Sequence, residues 1–168
     1  MGNMNAVTYK EIFPYIRNDK IWLGVNSNKV VEFILHESYE KWTRASSDGS
    51  KYGKVPAIIW LTNLSHDSRN IELELTKAYF RKNYNKFDNY DVINVDKTKD
   101  IPIDYTGAMG VPISFLCKYN PAQFDILHCD DYITNHKTRR KSHGLIKDME
   151  ATIDGKATYA RVVIRHSF

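Results

Sequence analysis

The sequence predicts an α/β or α+β single domain, with a mixed sheet of about six or seven strands, few helices and long ordered loops. The length of 168 residues favours one domain with a genuine core. Several apolar runs have the length of strands and are rich in β-branched residues. Helical spacing is clear only near the N-terminus, where it directly precedes a strand and therefore indicates one α-to-β step of a layered sheet.

A helix is expected at the N-terminal end. Residues 8–11 (TYKE) form a capping box, in which the Thr8 hydroxyl accepts from the amide of Glu11. Apolar residues follow at helical spacing: Tyr9, Ile12, Phe13 and Ile16. Pro14 should kink this helix or confine its regular part to the first turns. Residues 21–25 (IWLGV) then form a buried strand.

Apolar patterning predicts the remaining strands of the first half. Residues 29–36 form one strand, and the polar residues 39–54 form a loop or a long hairpin tip. Residues 57–61 are too apolar for a surface strand and should lie centrally in the sheet. Residues 70–79 begin with alternation and predict a further strand, whereas residues 81–89 predict an irregular connection.

The stretch 89–121 is the most structured connection in the second half. Apolar residues at 92, 93 and 95 indicate a short strand at its start. Glycines and prolines follow at high density, which implies positive φ or close backbone approach. We predict a rigid, ordered loop between two strands.

The C-terminal end predicts a strand and a hairpin. Residues 124–128 are apolar enough for a strand, and residues 151–165 form a hairpin with Asp154-Gly155 as the tight turn. Alternation along its second arm places Arg161 and Arg165 on one basic outer face.

Positive charge is concentrated in one run. The net charge of +4 is mildly basic, which is compatible with nucleic acid but not diagnostic. Positions 137–141 carry four cations: Lys137, Arg139, Arg140 and Lys141. Neighbouring Ser, Thr, Asn and His donors suit phosphate oxygens, and arginine can bind guanine bidentately. A solvated loop tip is the alternative interpretation.

Other classes of protein are not indicated. No apolar run reaches the roughly 20 residues of a spanning helix, no secretory signal opens the chain, and two cysteines make no disulfide framework. A cytoplasmic protein without a membrane partner is therefore expected. His128, Cys129, Asp130, Asp131, His136 and His143 match no zinc spacing, and Asp130-Asp131 alone does not supply a magnesium site. No metal site is predicted.

Several segments together resemble one enzyme family. INVDKTKDIP, DYTGAMGVPISFL and KYNPAQFDIL, within residues 93–127, are similar to the C-terminal part of adenine-specific DNA methyltransferases of the EcoRI modification type. GNMNAVTYKEIFPYIRNDKIWLG at the N-terminus, WLTNL at residues 60–64 and YARVVIR at residues 159–165 also resemble that family. The resemblance implies the second half of a methyltransferase-like fold within a single domain, 1–168. Residues 1–64 would form the end of the methyltransferase-like sheet, and residues 65–168 would form a target-recognition-like region.

The resemblance also defines what the chain lacks. Methyl transfer in this family needs S-adenosylmethionine and an Asn/Asp-Pro-Pro-aromatic motif that clamps the exocyclic nitrogen of adenine. The sequence has no Pro-Pro dipeptide and no glycine-rich loop after a strand. In the family both features precede the segment matched by residues 1–24. We expect S-adenosylmethionine to serve the intact family enzyme and not to bind this chain alone. No catalytic residue is assigned, and no independent methyl transfer is expected.

Three residues are candidates for the walls of a pocket around an extruded adenine. Trp22 and Trp60 lie near strand ends and could stack on the base, although a core tryptophan is the alternative for each. Asn63 could donate and accept at a base edge, although a turn asparagine is the alternative. The DNA-contacting candidates are the four cations of residues 137–141, with Arg161 and Arg165.

The predicted function is that of the C-terminal part of an N6-adenine-specific DNA methyltransferase of a restriction-modification system. Such a part would contribute DNA recognition and part of the target-base pocket. Double-stranded DNA is the expected partner, and an N-terminal methyltransferase half is a further candidate. Two alternatives stay open: one subunit of a split methyltransferase, or a non-catalytic DNA-binding remnant.

Overall fold

The computed structural model describes residues 1–129 and 151–167. Within these ranges the helices are α1 (Phe13–Arg17) and the 3₁₀ turns Met4–Thr8, Asp67–Asn70, Arg81–Asn83, Thr98–Asp100 and Ile113–Lys118. The strands are β1 (Gly2–Asn3), β2 (Trp22–Leu23), β3 (Lys29–Leu35), β4 (Arg44–Ala45), β5 (Lys51–Ile59), β6 (Leu61–Thr62), β7 (Ile93–Asn94), β8 (Met109–Pro112), β9 (Phe124–Cys129), β10 (Thr152–Ile153), β11 (Lys156–Ala157) and β12 (Arg161–His166). The predicted fold class is confirmed, with the strands divided among several sheets.

The first sheet is built from the N-terminal third of the chain. Its order is β1-β5-β3, with β4 also paired to β5, and every pairing is antiparallel. The predicted strand at residues 29–36 is confirmed. The predicted hairpin tip at residues 39–54 holds for residues 39–50, which carry β4, whereas residues 51–54 belong to β5. The central position predicted for residues 57–61 holds for their first part, because β5 lies between two strands and buries Ile58 and Ile59.

The second sheet contains the best-buried strand of the described chain. Its order is β7-β8-β12-β9; β7 runs parallel to β8, and β12 is antiparallel to both of its neighbours. Val162 and Ile164 of β12 are fully buried in the main core, and Val163 packs into a second buried cluster, so both faces of this strand are covered. Buried residues from both sheets, such as Ile59 and Val111, pack with Val7 of the first 3₁₀ turn into one hydrophobic core.

The N-terminal helix differs from the prediction. The Thr8 hydroxyl donates to the Asn5 carbonyl at 2.9 Å inside a 3₁₀ turn, so the predicted capping box is wrong. The α-helix begins at Phe13 and places Pro14 in its first turn. Proline is tolerated there because its missing N–H would have no partner within the helix. Pro14 therefore starts the helix instead of kinking it.

The strand predicted at residues 70–79 is absent, apart from an isolated bridge between Lys77 and Pro102. The backbone of Leu73 bonds instead to a side chain. Its N–H donates to Gln123 Oε1 at 2.9 Å, and its carbonyl accepts from Gln123 Nε2 at 2.7 Å. A glutamine amide thus satisfies the groups that a neighbouring strand would have satisfied.

The stretch 89–121 is more regular than predicted. It contains β7, β8 and two 3₁₀ turns, so a strand occupies part of the predicted loop. Close approach explains Gly110, where a Cβ atom would lie 2.6 Å from Cε2 of the Phe87 ring.

The predicted Asp154-Gly155 turn is confirmed between β10 and β11. Both residues have positive φ, 50° and 70°, as a tight hairpin turn of this kind requires. The Asp88 carboxylate accepts from the Gly155 N–H at 2.9 Å, and this backbone bond lowers the pKa of Asp88. The second arm of the predicted hairpin does not extend to residue 165, because β11 ends at Ala157. The following strand, β12, belongs to the second sheet.

Candidate functional site

The two candidate pocket tryptophans lie on one face of the β2–β6 ribbon. The strands are antiparallel, with Trp22 opposite Thr62. Gly24 continues this register opposite Trp60, whose carbonyl accepts the Gly24 N–H at 2.8 Å. Side chains alternate between the faces of a ribbon, so Trp22 and Trp60 share one face while the buried Leu23 points to the core. The structure therefore brings the two aromatic candidates together.

One side of the Trp22 ring is already engaged. Its Nε1 donates to the Leu64 carbonyl at 3.0 Å. The guanidinium carbon of Arg69 lies 3.8 Å from the ring centroid, a cation–π contact that contributes about 0.5–2 kcal/mol. Trp22 thus holds the loop after β6 against β2, and at most one ring face is left for a ligand.

Arg69 is a mostly buried cation behind Trp22. It forms an ion pair with Asp19 at the end of α1, while its Nε atom is buried without a hydrogen-bond partner among the described residues. Burial lowers the pKa of Arg69, but a guanidinium stays charged at neutral pH. The pair ties the end of the helix to the loop that carries Arg69.

A small cleft lies beside this ion pair. Its lining includes His66. The Nε2 atom of His66 lies 3.0 Å from the Leu23 carbonyl oxygen, and its Nδ1 atom lies 2.8 Å from the Ser68 hydroxyl. The cleft volume of about 10 Å³ accommodates about one water molecule. A nucleobase or S-adenosylmethionine does not fit there, and no step of methyl transfer is assigned to this cleft. That S-adenosylmethionine does not bind the chain alone stays a prediction.

Trp60 and Asn63 are the accessible members of the candidate pocket. Trp60 is 46% exposed, although its N–H donates to the Ser27 hydroxyl at 3.1 Å. Its backbone is held while its ring faces solvent, so the core-tryptophan alternative does not hold for Trp60. Asn63 is exposed in the turn after β6, where Thr62 Oγ1 accepts the Leu64 N–H at 3.0 Å. Their contact with a base stays a prediction.

The structure places Arg161 inside the protein. The residue is 9% exposed; its Nε donates to Asn94 Oδ1 at 3.0 Å and its Nη1 to the Tyr159 carbonyl at 2.7 Å. Its Nη2 lies 3.4 Å from the Asp96 carboxylate. The outer face predicted for Arg161 is therefore wrong, because β12 is an interior strand and not the edge of a hairpin.

The other DNA-contacting candidates lie elsewhere. Arg165 is exposed on β12, and its Nη2 lies 3.1 Å from Asp125 Oδ2. Four candidates lie outside the described residues: Lys137, Arg139, Arg140 and Lys141. Cys129 and Ala151, the described residues on either side of that segment, are both buried in the fold.

One accessible group of cations was missed in the sequence. Residues 77–86 (KAYFRKNYNK), called the basic–aromatic segment below, carry Lys77, Arg81, Lys82 and Lys86 and contain no acidic residue. All four cations are exposed. The available signal was the alternation of cations with aromatic rings. The prediction instead divided this segment between a strand at residues 70–79 and an irregular connection at residues 81–89.

The described residues contain neither a metal-binding cluster nor a membrane-spanning helix. No group of three or more His, Cys, Asp and Glu side chains in residues 1–129 and 151–167 is arranged to hold a metal ion. In the same part of the chain, no helix is long and apolar enough to cross a membrane.

Comparison with known proteins identifies the relatives of this chain. The family described as adenine-specific methyltransferase EcoRI matches residues 1–167. Type II methyltransferase M.EcoRI of Escherichia coli is 42% identical over 172 residues, which cover 99% of this chain and 49% of that protein. Type II methyltransferases M.MgeORF184P of Mycoplasma genitalium and M.MpnI of Mycoplasma pneumoniae are 35% and 36% identical, and each match covers 98% of this chain and 55% of the relative. No solved structure gives a significant match.

All three relatives are named as type II methyltransferases. The chain belongs to the EcoRI family of adenine-specific methyltransferases, as its resemblance predicted, because the family match extends over residues 1–167. It spans about half the length of the curated relatives that it matches. Membership implies S-adenosylmethionine as the methyl donor of the family.

Proposed function

We propose that this chain is the DNA-recognition part of an N6-adenine-specific DNA methyltransferase, and that it contributes one wall of the target-base pocket. The observation that carries this proposal is the family match over residues 1–167, combined with a chain that spans about half of each relative. The segments that resemble the family are those that follow its catalytic motif. Residues 1–64 would complete the methyltransferase-like sheet, and residues 65–168 would form the target-recognition-like region.

In this proposal Trp60 is the stacking residue. Its ring is accessible, its backbone is held by Ser27 and Gly24, and Asn63 lies three positions along the same turn. Such an ordered ring stacks on an extruded base without a large entropic cost. Trp22, on the same face of the ribbon, supports this wall through its contacts with Leu64 and Arg69.

In this proposal, cationic side chains provide most of the contacts with DNA. The run at residues 137–141 supplies four of them, and Arg165 supplies another from the exposed position on β12. Neutralising four phosphates would give a slope of about −3.6 for log affinity against log salt, at about −0.9 per contact. Arg161 does not contact DNA in this proposal. It stabilises the position of β12 through its hydrogen bond to Asn94.

Methyl transfer would require the part of the relatives that this chain does not match. One test mixes the chain with a polypeptide that carries the unmatched part of M.EcoRI, tritiated S-adenosylmethionine and an adenine-containing duplex. We expect transfer from the mixture and none from either polypeptide alone. Transfer by this chain alone would overturn the proposed division of roles.

Trp60→Ala tests the pocket in the same mixture. The variant should lower methyl transfer while it leaves duplex affinity unchanged, because stacking matters only after the base is extruded. Tyr15→Ala, which removes an exposed ring from α1, is the matched control. Equal activity of Trp60→Ala and the unaltered chain would reject the pocket role.

The alternative function is that of one subunit of a split methyltransferase. Restored activity in the mixture supports it, and salt-sensitive DNA binding without restored activity would indicate a DNA-binding remnant instead.

A further inference from the structure

We propose that the basic–aromatic segment, residues 77–86, is a second surface that contacts the phosphate backbone of duplex DNA. The proposal rests on the proposed function above, which supplies DNA as the partner. It concerns residues other than the basic run at 137–141. Three features of the described structure support it: cations without a carboxylate partner, a rigid aromatic support and an exposed ring among the cations.

The first feature is a stretch of positive charge that contains no acidic residue and in which three of the four cations have no carboxylate partner in the part of the chain that the structure describes. No acidic residue occurs between Glu74 and Asp88, an interval that contains four cations. Within the described residues, no carboxylate lies within ion-pair distance of Lys77, Arg81 or Lys82, whereas the fourth cation, Lys86, pairs with Asp91. Cations that have no carboxylate partner of their own can bind phosphate without first breaking an ion pair.

The second feature is a support that fixes the backbone. The Tyr79 ring stacks on Tyr84, with centroids 5.6 Å apart, and packs at a tilt against Tyr105, with centroids 4.4 Å apart. The Tyr79 N–H donates to Asp104 Oδ1 at 2.6 Å, and the Tyr84 hydroxyl donates to the Asp100 carbonyl at 2.8 Å. The segment is therefore anchored at both sides of its 3₁₀ turn, and binding does not have to order it.

The 3₁₀ turn at Arg81–Asn83 presents its side chains outward. The Asn83 N–H closes the turn by donating to the Phe80 carbonyl at 2.8 Å. Phe80 itself is 57% exposed, directly before Arg81 and Lys82. An accessible ring beside two cations suits the sugar–phosphate backbone, where the cations bind phosphate and the ring packs on deoxyribose.

The residues that follow the segment are also anchored. Asp88 and Asn89, which follow it, bond directly to Thr152. The Asp88 N–H donates to the Thr152 carbonyl at 2.8 Å, and Asn89 Oδ1 accepts the Thr152 N–H at 3.2 Å. These bonds fix the residues at the C-terminal end of the basic–aromatic segment to the rest of the fold.

The test compares two double variants by fluorescence anisotropy with a labelled duplex over a series of salt concentrations. Arg81→Gln/Lys82→Gln should make the slope of log affinity against log salt less negative by about 1.8, at about 0.9 per phosphate contact. Lys10→Gln/Lys20→Gln removes two exposed lysines from the N-terminal segment and should leave the slope unchanged. Circular dichroism should show equal folding of both variants, because Arg81 and Lys82 are exposed.

Phe80→Ala provides a second, independent readout. It removes contact area but no charge, so it should weaken binding with no change in the salt slope. An unaltered slope for Arg81→Gln/Lys82→Gln, in a chain that binds duplex in a salt-dependent manner, would overturn this inference and leave the proposed function standing. If the unaltered chain shows no salt-dependent binding, both fail.

Discussion

Replacing Arg161 by methionine is expected to destabilise the protein by about 2–4 kcal/mol. Methionine keeps an apolar stem in the core but offers no donor. The buried Asn94 side-chain oxygen and the Tyr159 carbonyl would each lose a hydrogen bond, at 3.0 Å and 2.7 Å in the structure. A buried acceptor left without a donor costs about 1–3 kcal/mol. Loss of the ion pair with Asp96 adds only about a few tenths of a kcal/mol to the destabilisation, since the Asp96 side chain is 74% exposed.

Urea unfolding followed by tryptophan fluorescence measures this loss. In a chain of this size, about 2–4 kcal/mol corresponds to a fall in Tm of about 5–15 °C. Arg165→Met is the matched control on the same strand: its partner Asp125 is half-exposed, so its change should stay within about 0.5 kcal/mol. A destabilisation below about 0.5 kcal/mol for Arg161→Met would refute the argument that β12 is held by a buried polar network.

Two further outcomes follow from the packing of individual residues. Gly110→Ala should cost about 1–3 kcal/mol in the same unfolding assay, because its new methyl group would meet the buried Phe87 ring, and the double variant with Phe87→Leu should recover part of that cost. Full stability of Gly110→Ala alone would contradict the close approach. Cys117 is partly accessible, but burial of its sulfur away from water raises the pKa of the thiol from 9.0 to about 11. At pH 8 its thiolate fraction should be about 100-fold below that of an ordinary cysteine, and its rate of alkylation by iodoacetamide should be lower by the same factor. The rate should rise with pH up to about 11, and alkylation at this position should be lost in Cys117→Ser. An ordinary rate at pH 8 would contradict that shift.

Local sequence signals were sufficient for several elements. The Asp154-Gly155 turn needs two consecutive positive φ angles, and this pair of residues tolerates them with little strain. The strand at residues 124–128 is confirmed as β9, and the apolar residues at the end of β5 are buried as predicted. In each case the preference of the residues themselves agrees with the surrounding fold.

The candidate site was only partly accessible from the sequence. Its tryptophans could be named, but their common face depends on the pairing of residues 22–24 with residues 60–62, which no local pattern reveals. Similarly, the engagement of one Trp22 face depends on Arg69, 47 positions away, which the fold brings over the ring.

What the sequence by itself determined was family membership, the fold class and the short elements whose conformation depends on neighbouring residues. Only the tertiary structure decided that Leu73 bonds to Gln123 instead of joining a strand, and that Arg161 is buried while Arg165 on the same strand is exposed. Alternation predicts that two residues share a face, but not whether that face meets solvent or another strand. Burial and hydrogen-bond partners are set by contacts between residues far apart in the chain, and these contacts exist only once the chain has folded.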